Sequence, residues 1–325
     1  MSVLRLVVRL TCLLTAFAAA PAWAAMYDMP PPGSDVVGQI QHIKTEASDT
    51  FVALARKYDV GYRDLREANP NVDPWLPGDG TPLIIPTAYV LPNVPRKGIV
   101  VNVPEMRIYY FPDSDSQYAG KVFTYPIGIG RQGWSTPIAH TYIAQKIPHP
   151  SWTPPASIKK EHAAKGDPLP DVVPAGPDNP LGQYALRLGL PSYLIHGTNK
   201  PAGIGMRVSH GCIRLFPEDI SALFSMVPVG TPVNIVSEPY KIGWDGSTLM
   251  MEAHPPNAGG AAPVKSYTPW VQALIAATKD QPKAPVNWDK GEKVVHNAAG
   301  IPQAIGHDPH KHDPSITAHA DAASS

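Results

Sequence analysis

The first periodic signal along the chain runs from Asp49 to Ala68. Phe51, Leu54, Ala55 and Tyr58 recur at i, i+3, i+4 and i+7, the spacing of one helical face, and Asp49 just ahead supplies a cap. Gly61 breaks that helix, and Tyr62, Leu65 and Ala68 predict a second short one ending at Asn69-Pro70. Gln39 to Lys44 before, and Leu83-Ile84-Ile85-Pro86 after a Pro77-Gly78 turn, read as strands. Residues 39–86 are therefore expected to form a small βααβ unit. From Lys97 the period changes to two. Ile99 to Val103 and Met106 to Phe111 flank Pro104-Glu105 as a hairpin-like pair, and Val122 to Ile127, Thr141 to Ala144, Tyr193 to Ile195 and Val233 to Val236 continue the series. One helix interrupts it near Pro217, with Ile220, Leu223, Phe224 and Val227 on one face and Glu218 and Asp219 at its N-terminus. The fold class is mainly β, with a sandwich-like domain over 97–237.

The two ends read differently. Arg5 and Arg9 precede an apolar run, Leu10 to Ala20, and Ala22-Trp23-Ala24 places small residues where a secretory leader is cut. The run is too short to span a bilayer, so residues 1–24 are expected to be a signal peptide removed after Ala24, and the mature chain to be exported. Residues 25–38 form an extended lead-in. After about His254 the chain turns to Pro, Ala, Gly, Asp and His, and six of the 12 histidines fall there. Residues 255–325 are expected to be a largely flexible tail, with one helical stretch over Trp270 to Ala277. His310-Lys311-His312 offers a loose metal site, against which a plain solvated tail is the stronger reading.

Composition sharpens this. With 39 prolines in 325 residues a helical bundle is disfavoured, and nine of them lie in the insertion Pro148 to Pro180 between two strands. An insertion of that length, carrying Trp152, Lys159, Lys160 and His162, is expected to be a lid over the active site. Lys+Arg and Asp+Glu balance at 27 each, so no basic field points to nucleic acid.

Loss of the leader removes Cys12 and leaves Cys212 as the one thiol. A lone cysteine in an oxidising compartment is either a buried inert hydrophobe or a nucleophile. Its surroundings favour the second: His196 follows a short β-branched strand, and Ser209-His210-Gly211-Cys212-Ile213-Arg214 supplies a second imidazole and a glycine turn. An imidazole can act as base toward the thiol, and successive amides at Gly211 and Cys212 can converge on an oxyanion. The Gly197 carbonyl can fix the tautomer of His196. Bland readings stand beside these. His196 can be a core histidine, His210 can be base or scaffold, and Arg214 can make a structural ion pair. His196, His210 and Cys212 can also be zinc ligands, though no second cysteine supports that set.

The constellation resembles the catalytic signature of the L,D-transpeptidases (YkuD-type domain): His196, twelve intervening residues, then Ser209-His210-Gly211-Cys212. The likeness extends to Tyr125-Pro-Ile-Gly-Ile-Gly130 and Thr136-Pro137, and with the unit ahead of it suggests the periplasmic branch of Gram-negative bacteria. It implies a Cys212 nucleophile, a His196 base, His210 and Gly211 shaping the nucleophile turn, and Arg214, Ser209 and Gly197 near substrate. The donor implied is a peptidoglycan tetrapeptide stem. The acceptor is a diaminopimelate amine or the lysine of an outer-membrane lipoprotein, with water giving carboxypeptidase activity. The implied chemistry needs no metal or organic cofactor, and the family is inhibited by carbapenem-type lactams. Residues 39–86 resemble a LysM module, on Asp49-Thr50, Asn69-Pro70 and Pro-Gly…Leu-Ile-Ile-Pro, with Ser48 where many such modules carry Gly. That implies binding of peptidoglycan glycan strands; a structural spacer is the alternative. A non-catalytic wall-binding protein is the rival to the enzyme.

Overall fold

The computed structural model describes residues 25–255, 266–281 and 284–308. The predicted leader and the His310-Lys311-His312 cluster lie outside them. A nine-stranded sheet dominates, in the order Ala25–Asp28, Lys121–Pro126, Arg107–Phe111, Gly98–Asn102, Pro232–Val236, Ala139–Pro148, Tyr184–Leu188, Leu194–His196 and Ile213–Arg214. Most neighbours are antiparallel. The exceptions are Pro232–Val236 beside Gly98–Asn102 and Leu194–His196 beside Ile213–Arg214. The central strands Gly98–Asn102 and Arg107–Phe111 are buried at every position. Their alternation explains why: Ile99, Val101, Ile108 and Tyr110 enter the main core, while Val100, Tyr109 and Phe111 pack on the opposite face with Val37, Tyr89 and Leu91. The helix Pro217–Met226 closes the main core with Ile220 and Leu223. The extended lead-in is not free of this domain, because Ala25–Asp28 is an edge strand of the sheet, with Ala25 opposite Thr124.

Residues 41–85 build a separate small core. Strands Gln41–Lys44 and Pro82–Ile85 pair antiparallel, and helices Phe51–Lys57 and Tyr62–Ala68 lie between them in the chain. Thr50, not Asp49, caps the first helix: its hydroxyl accepts from the Ala53 amide, while Asp49 accepts from the Glu46 amide one turn earlier. Asn69 ties the second helix to the closing strand, donating to Leu65 and Ile84 carbonyls and accepting from the Ile84 amide.

The flexible tail expected after residue 254 is not what residues 266–308 form. Helices Thr268–Thr278 and Trp288–Asn297 and strand Gln303–His307 pack on the hairpin Tyr240–Asp245/Thr248–Ala253, around Trp244, Leu249, Met251, Trp270, Val294 and Ile305. The Val294, Val295 and Ala298 spacing that drives this is short and set among charges, so composition hid it. A buried polar network fastens this unit to the catalytic sheet. Lys241 Nζ donates to Glu105 (2.8 Å), Tyr109 (2.9 Å) and Glu252 (3.0 Å), and His254 Nε2 sits 2.7 Å from Glu252. Burial alone would raise Glu105; Lys241, His254 and Arg107 instead hold it down to about 2.

Candidate active site

The imidazole sits on strand Leu194–His196, and the thiol immediately precedes its parallel neighbour Ile213–Arg214. Ile195 is opposite Ile213 and His196 opposite Arg214, and both isoleucines point into the core. Side-chain alternation therefore puts His196 and Arg214 on the other side, with Cys212, two residues before Arg214, sharing it. Cys212 is a free, half-buried thiol whose Sγ lies 3.7 Å from the Ser192 carbonyl. Burial pushes the thiol above its ordinary value, against the opposing pull of the Leu194 amide and the Arg214 charge.

His196 is buried, and its Nδ1 lies 2.6 Å from the Gly197 carbonyl. A carbonyl only accepts, so Nδ1 carries the proton and Nε2 keeps its lone pair. Burial first, then the nearby Arg214 charge, lowers His196 to about 3, although the Gly197 and Leu181 carbonyls oppose this. The resting pair is a thiol and a neutral imidazole.

The turn before Cys212 is pinned from both sides. The Ser209 hydroxyl donates to the Cys212 carbonyl (2.6 Å) and accepts from the Gly211 amide (3.2 Å). Thr136 donates to the Gly211 carbonyl (2.9 Å) and accepts from the Gly130 amide (3.2 Å). Gly211 has φ of 104°, and a Cβ there would stand 3.1 Å from the Tyr193 ring. Only glycine meets both conditions without strain. The proline-rich insertion reaches this turn. Its helix Ala156–Ala164 presents Glu161, whose carboxylate pairs with Arg131 and lies 3.0 Å from His210 Nε2; Arg131 Nη2 is also 3.0 Å from that nitrogen. Trp134 packs edge-on to the His210 ring at 4.9 Å. The insertion itself is closed by the buried Asn179, whose amide donates to the Pro150, Val173 and Pro174 carbonyls.

A family model described as the YkuD L,D-transpeptidase catalytic domain matches residues 96–235. The probable L,D-transpeptidase ErfK/SrfK of Escherichia coli (strain K12) is 40% identical over 304 residues, which cover 89% of this chain and 93% of that protein. The chain belongs to the L,D-transpeptidase family. Its enzyme class follows from the same matches. Probable L,D-transpeptidase YcfS of the same strain is 45% identical over 244 residues, 73% of this chain and 75% of that protein. An NMR structure of the catalytic domain of the Enterococcus faecium L,D-transpeptidase is similar at 23% identity and a TM-score of 0.32, over 45% of this chain and 100% of that one.

Within this L,D-transpeptidase the predicted residues fall into two groups. His196 and Arg214 lie opposite each other on paired strands, Cys212 stands two residues before Arg214, and the His210 ring meets Glu161, Arg131 and Trp134. Ser209 and Gly197 are buried. Ser209 is 1% exposed and spends its hydroxyl on the turn, and Gly197 is buried against Ile220, which a Cβ there would meet at 3.0 Å. The Gly211 amide, one member of the expected oxyanion pair, is likewise taken by Ser209. His210 Nε2 is engaged by the Glu161–Arg131 pair, so it joins neither a base role at that nitrogen nor a ligand set with Cys212. The group of three potential metal ligands among the described residues is Glu105, Glu252 and His254, where the Lys241 ammonium already sits. Sequence reading missed Glu161 and Arg131, which are 30 residues apart and carry no motif. It noted Thr136 without a role; a residue 75 positions from Gly211 in the chain gave no local signal.

Proposed function

We propose that this enzyme is a periplasmic peptidoglycan L,D-transpeptidase in which Cys212 is the nucleophile and His196 its general base. The observation that carries the reading is the 2.6 Å contact from His196 Nδ1 to the Gly197 carbonyl, which leaves a neutral imidazole with Nε2 free to take a proton. The thiol proton passes to Nε2 as Sγ attacks the carbonyl of the third residue of a tetrapeptide stem. The tetrahedral intermediate collapses to a thioester, and the imidazolium returns the proton to the departing D-Ala amine. An acceptor amine, from a second stem's diaminopimelate or a lipoprotein lysine, then takes the acyl group by the reverse route; water gives a tripeptide stem instead.

Arg214 fits the role of holding a substrate carboxylate. Among the described residues it pairs with no acidic side chain, and its buried Nε has no partner, so an anion arriving beside Cys212 would complete it. The 39–86 unit is read as a LysM-like glycan-binding module, residues 1–24 as the export leader, and 97–237 as the catalytic domain. No helix among the described residues is long and apolar enough to cross a membrane, which suits an exported chain. The test is D-Ala release from disaccharide tetrapeptide, with product analysis by mass spectrometry: 3–3 cross-linked dimers, lipoprotein-linked fragments or tripeptides identify the acceptor. Unchanged tetrapeptide in every case would defeat the proposal. Loss of sacculus co-sedimentation, with turnover of soluble stems retained, on deleting residues 39–86 tests the module.

A further inference from the structure

Ala25, the first of the described residues, is seated on a pair of acids, one half-buried and one buried, that no part of the reaction uses. The Ala25 nitrogen lies 3.0 Å from Oδ2 of Asp59, the left-handed residue that follows the first helix of the small module. Beside Asp59 stands Asp219, in the first turn of helix Pro217–Met226 of the catalytic domain, and the two carboxyl groups contact each other. Asp219 is 3% exposed, and no N–H or O–H donor among the described residues reaches its Oδ2. Two carboxylates in contact, one of them fully buried, cannot both ionise without a cation. The other charged and titratable groups facing the pair are Glu218, which is taken by Arg56, Arg107, which donates to Asp64 and Thr124, and the Tyr27 and Tyr125 phenols. Neither guanidinium donates to Asp219.

We propose that Asp59 and Asp219 form the receptor for the α-ammonium group that leader removal exposes at Ala25. Resting on the proposed cut after Ala24, the inference turns the single amide donor at Asp59 into an ammonium with three N–H groups beside the paired acids. Ala25 cannot drift from this position, because Ala25–Asp28 is hydrogen-bonded along Lys121–Pro126. The receptor also touches the catalytic centre through one intervening side chain. Asp219 adjoins Ile220, and Ile220 packs on Gly197, whose carbonyl holds His196. Processing would thus complete the charge balance of the helix that backs the catalytic imidazole.

The experiment uses the exported, mature protein. Intact mass and N-terminal sequencing first establish whether the chain begins at Ala25; a different first residue overturns the proposal at the cleavage step and leaves the transpeptidase reading standing. The rate of α-amine acetylation is then read at the N-terminal peptide by mass spectrometry across pH 6.5–9.5. An ammonium held by carboxylates titrates above its ordinary range, so at pH 8 the mature protein should label about tenfold more slowly than Asp59→Asn. Should Asp59→Asn fail to fold, a chain carrying one extra glycine before Ala25 serves instead: its amine is displaced, labels at the ordinary rate, and melts about 2–4 °C lower. Equal labelling rates in the mature protein and the displaced variant would overturn the ion pair.

Discussion

The neutral state of His196 makes a prediction about pH that separates two kinds of cysteine enzyme. With His196 down near 3, about one imidazole in a hundred is protonated at pH 5, and fewer above it. The Cys212 thiol is pushed above its ordinary value, so the thiolate stays a minor species below pH 8. A thiol and a neutral base react by proton transfer in concert with attack, and the populations of both are constant across that window. The second-order rate of Cys212 acylation by a carbapenem, followed by intact-protein mass spectrometry, should therefore vary by less than about twofold from pH 5 to pH 7.5. An inflection at pH 6–7 would show an imidazole with an ordinary affinity for protons. A tenfold rise per pH unit would show attack by free thiolate without a base. Either would refute the reasoning. The same depression has a stability consequence with a definite sign. The unfolded chain binds a proton at His196 as pH falls through about 6.5 while the folded chain does not, so stability is full above that value and lost below it. Between pH 7.5 and pH 4 the wild type should lose about 3 kcal/mol more than His196→Gln, read as the difference in urea unfolding free energy.

Three further outcomes follow from the geometry. Gly211→Ala places a Cβ 3.1 Å from Tyr193 at a φ of 104°, and acylation should slow by about 10²-fold with the melting temperature lowered by a few degrees, read by thermal unfolding. Ser209→Ala leaves the Cys212 carbonyl and Gly211 amide without their shared partner and should cost about 1–3 kcal/mol in chemical denaturation as well as activity. Lys241→Ala strands Glu105 and Glu252 in a site with no water access and should cost about 3–5 kcal/mol, seen as early melting of the C-terminal unit by hydrogen exchange.

The strands of the catalytic sheet and the helix at Pro217 were legible because their apolar positions alternate or recur without interruption. The nucleophile turn was legible because its chemistry is contiguous: Ser209 to Arg214 carries thiol, imidazole, glycine and guanidinium within six residues. Role assignment within it was harder. Whether Ser209 faces substrate or backbone depends on where the Gly211 amide points, and that is set by Thr136 and Gly130 from another part of the chain. The helix of the proline-rich insertion and its Glu161 were hidden because proline-rich flanks mask a nine-residue helix with one buried apolar side chain, Ile158. The C-terminal unit was hidden for a related reason. Its hairpin buries Lys241, Glu252 and His254, which read as surface residues until partners from the catalytic sheet are seen beside them.

The reaction turns on a thioester formed between Cys212, with neutral His196 as its base, and a peptidoglycan stem. Rapid-quench mass spectrometry of the enzyme mixed with tetrapeptide stems detects that intermediate. The wild type should carry a single adduct of tripeptide mass on Cys212 with equimolar D-Ala released, His196→Ala should form it at least about 10²-fold more slowly, and Cys212→Ala should form none. D-Ala release at the wild-type rate by Cys212→Ala, or an adduct on any other residue, would contradict it.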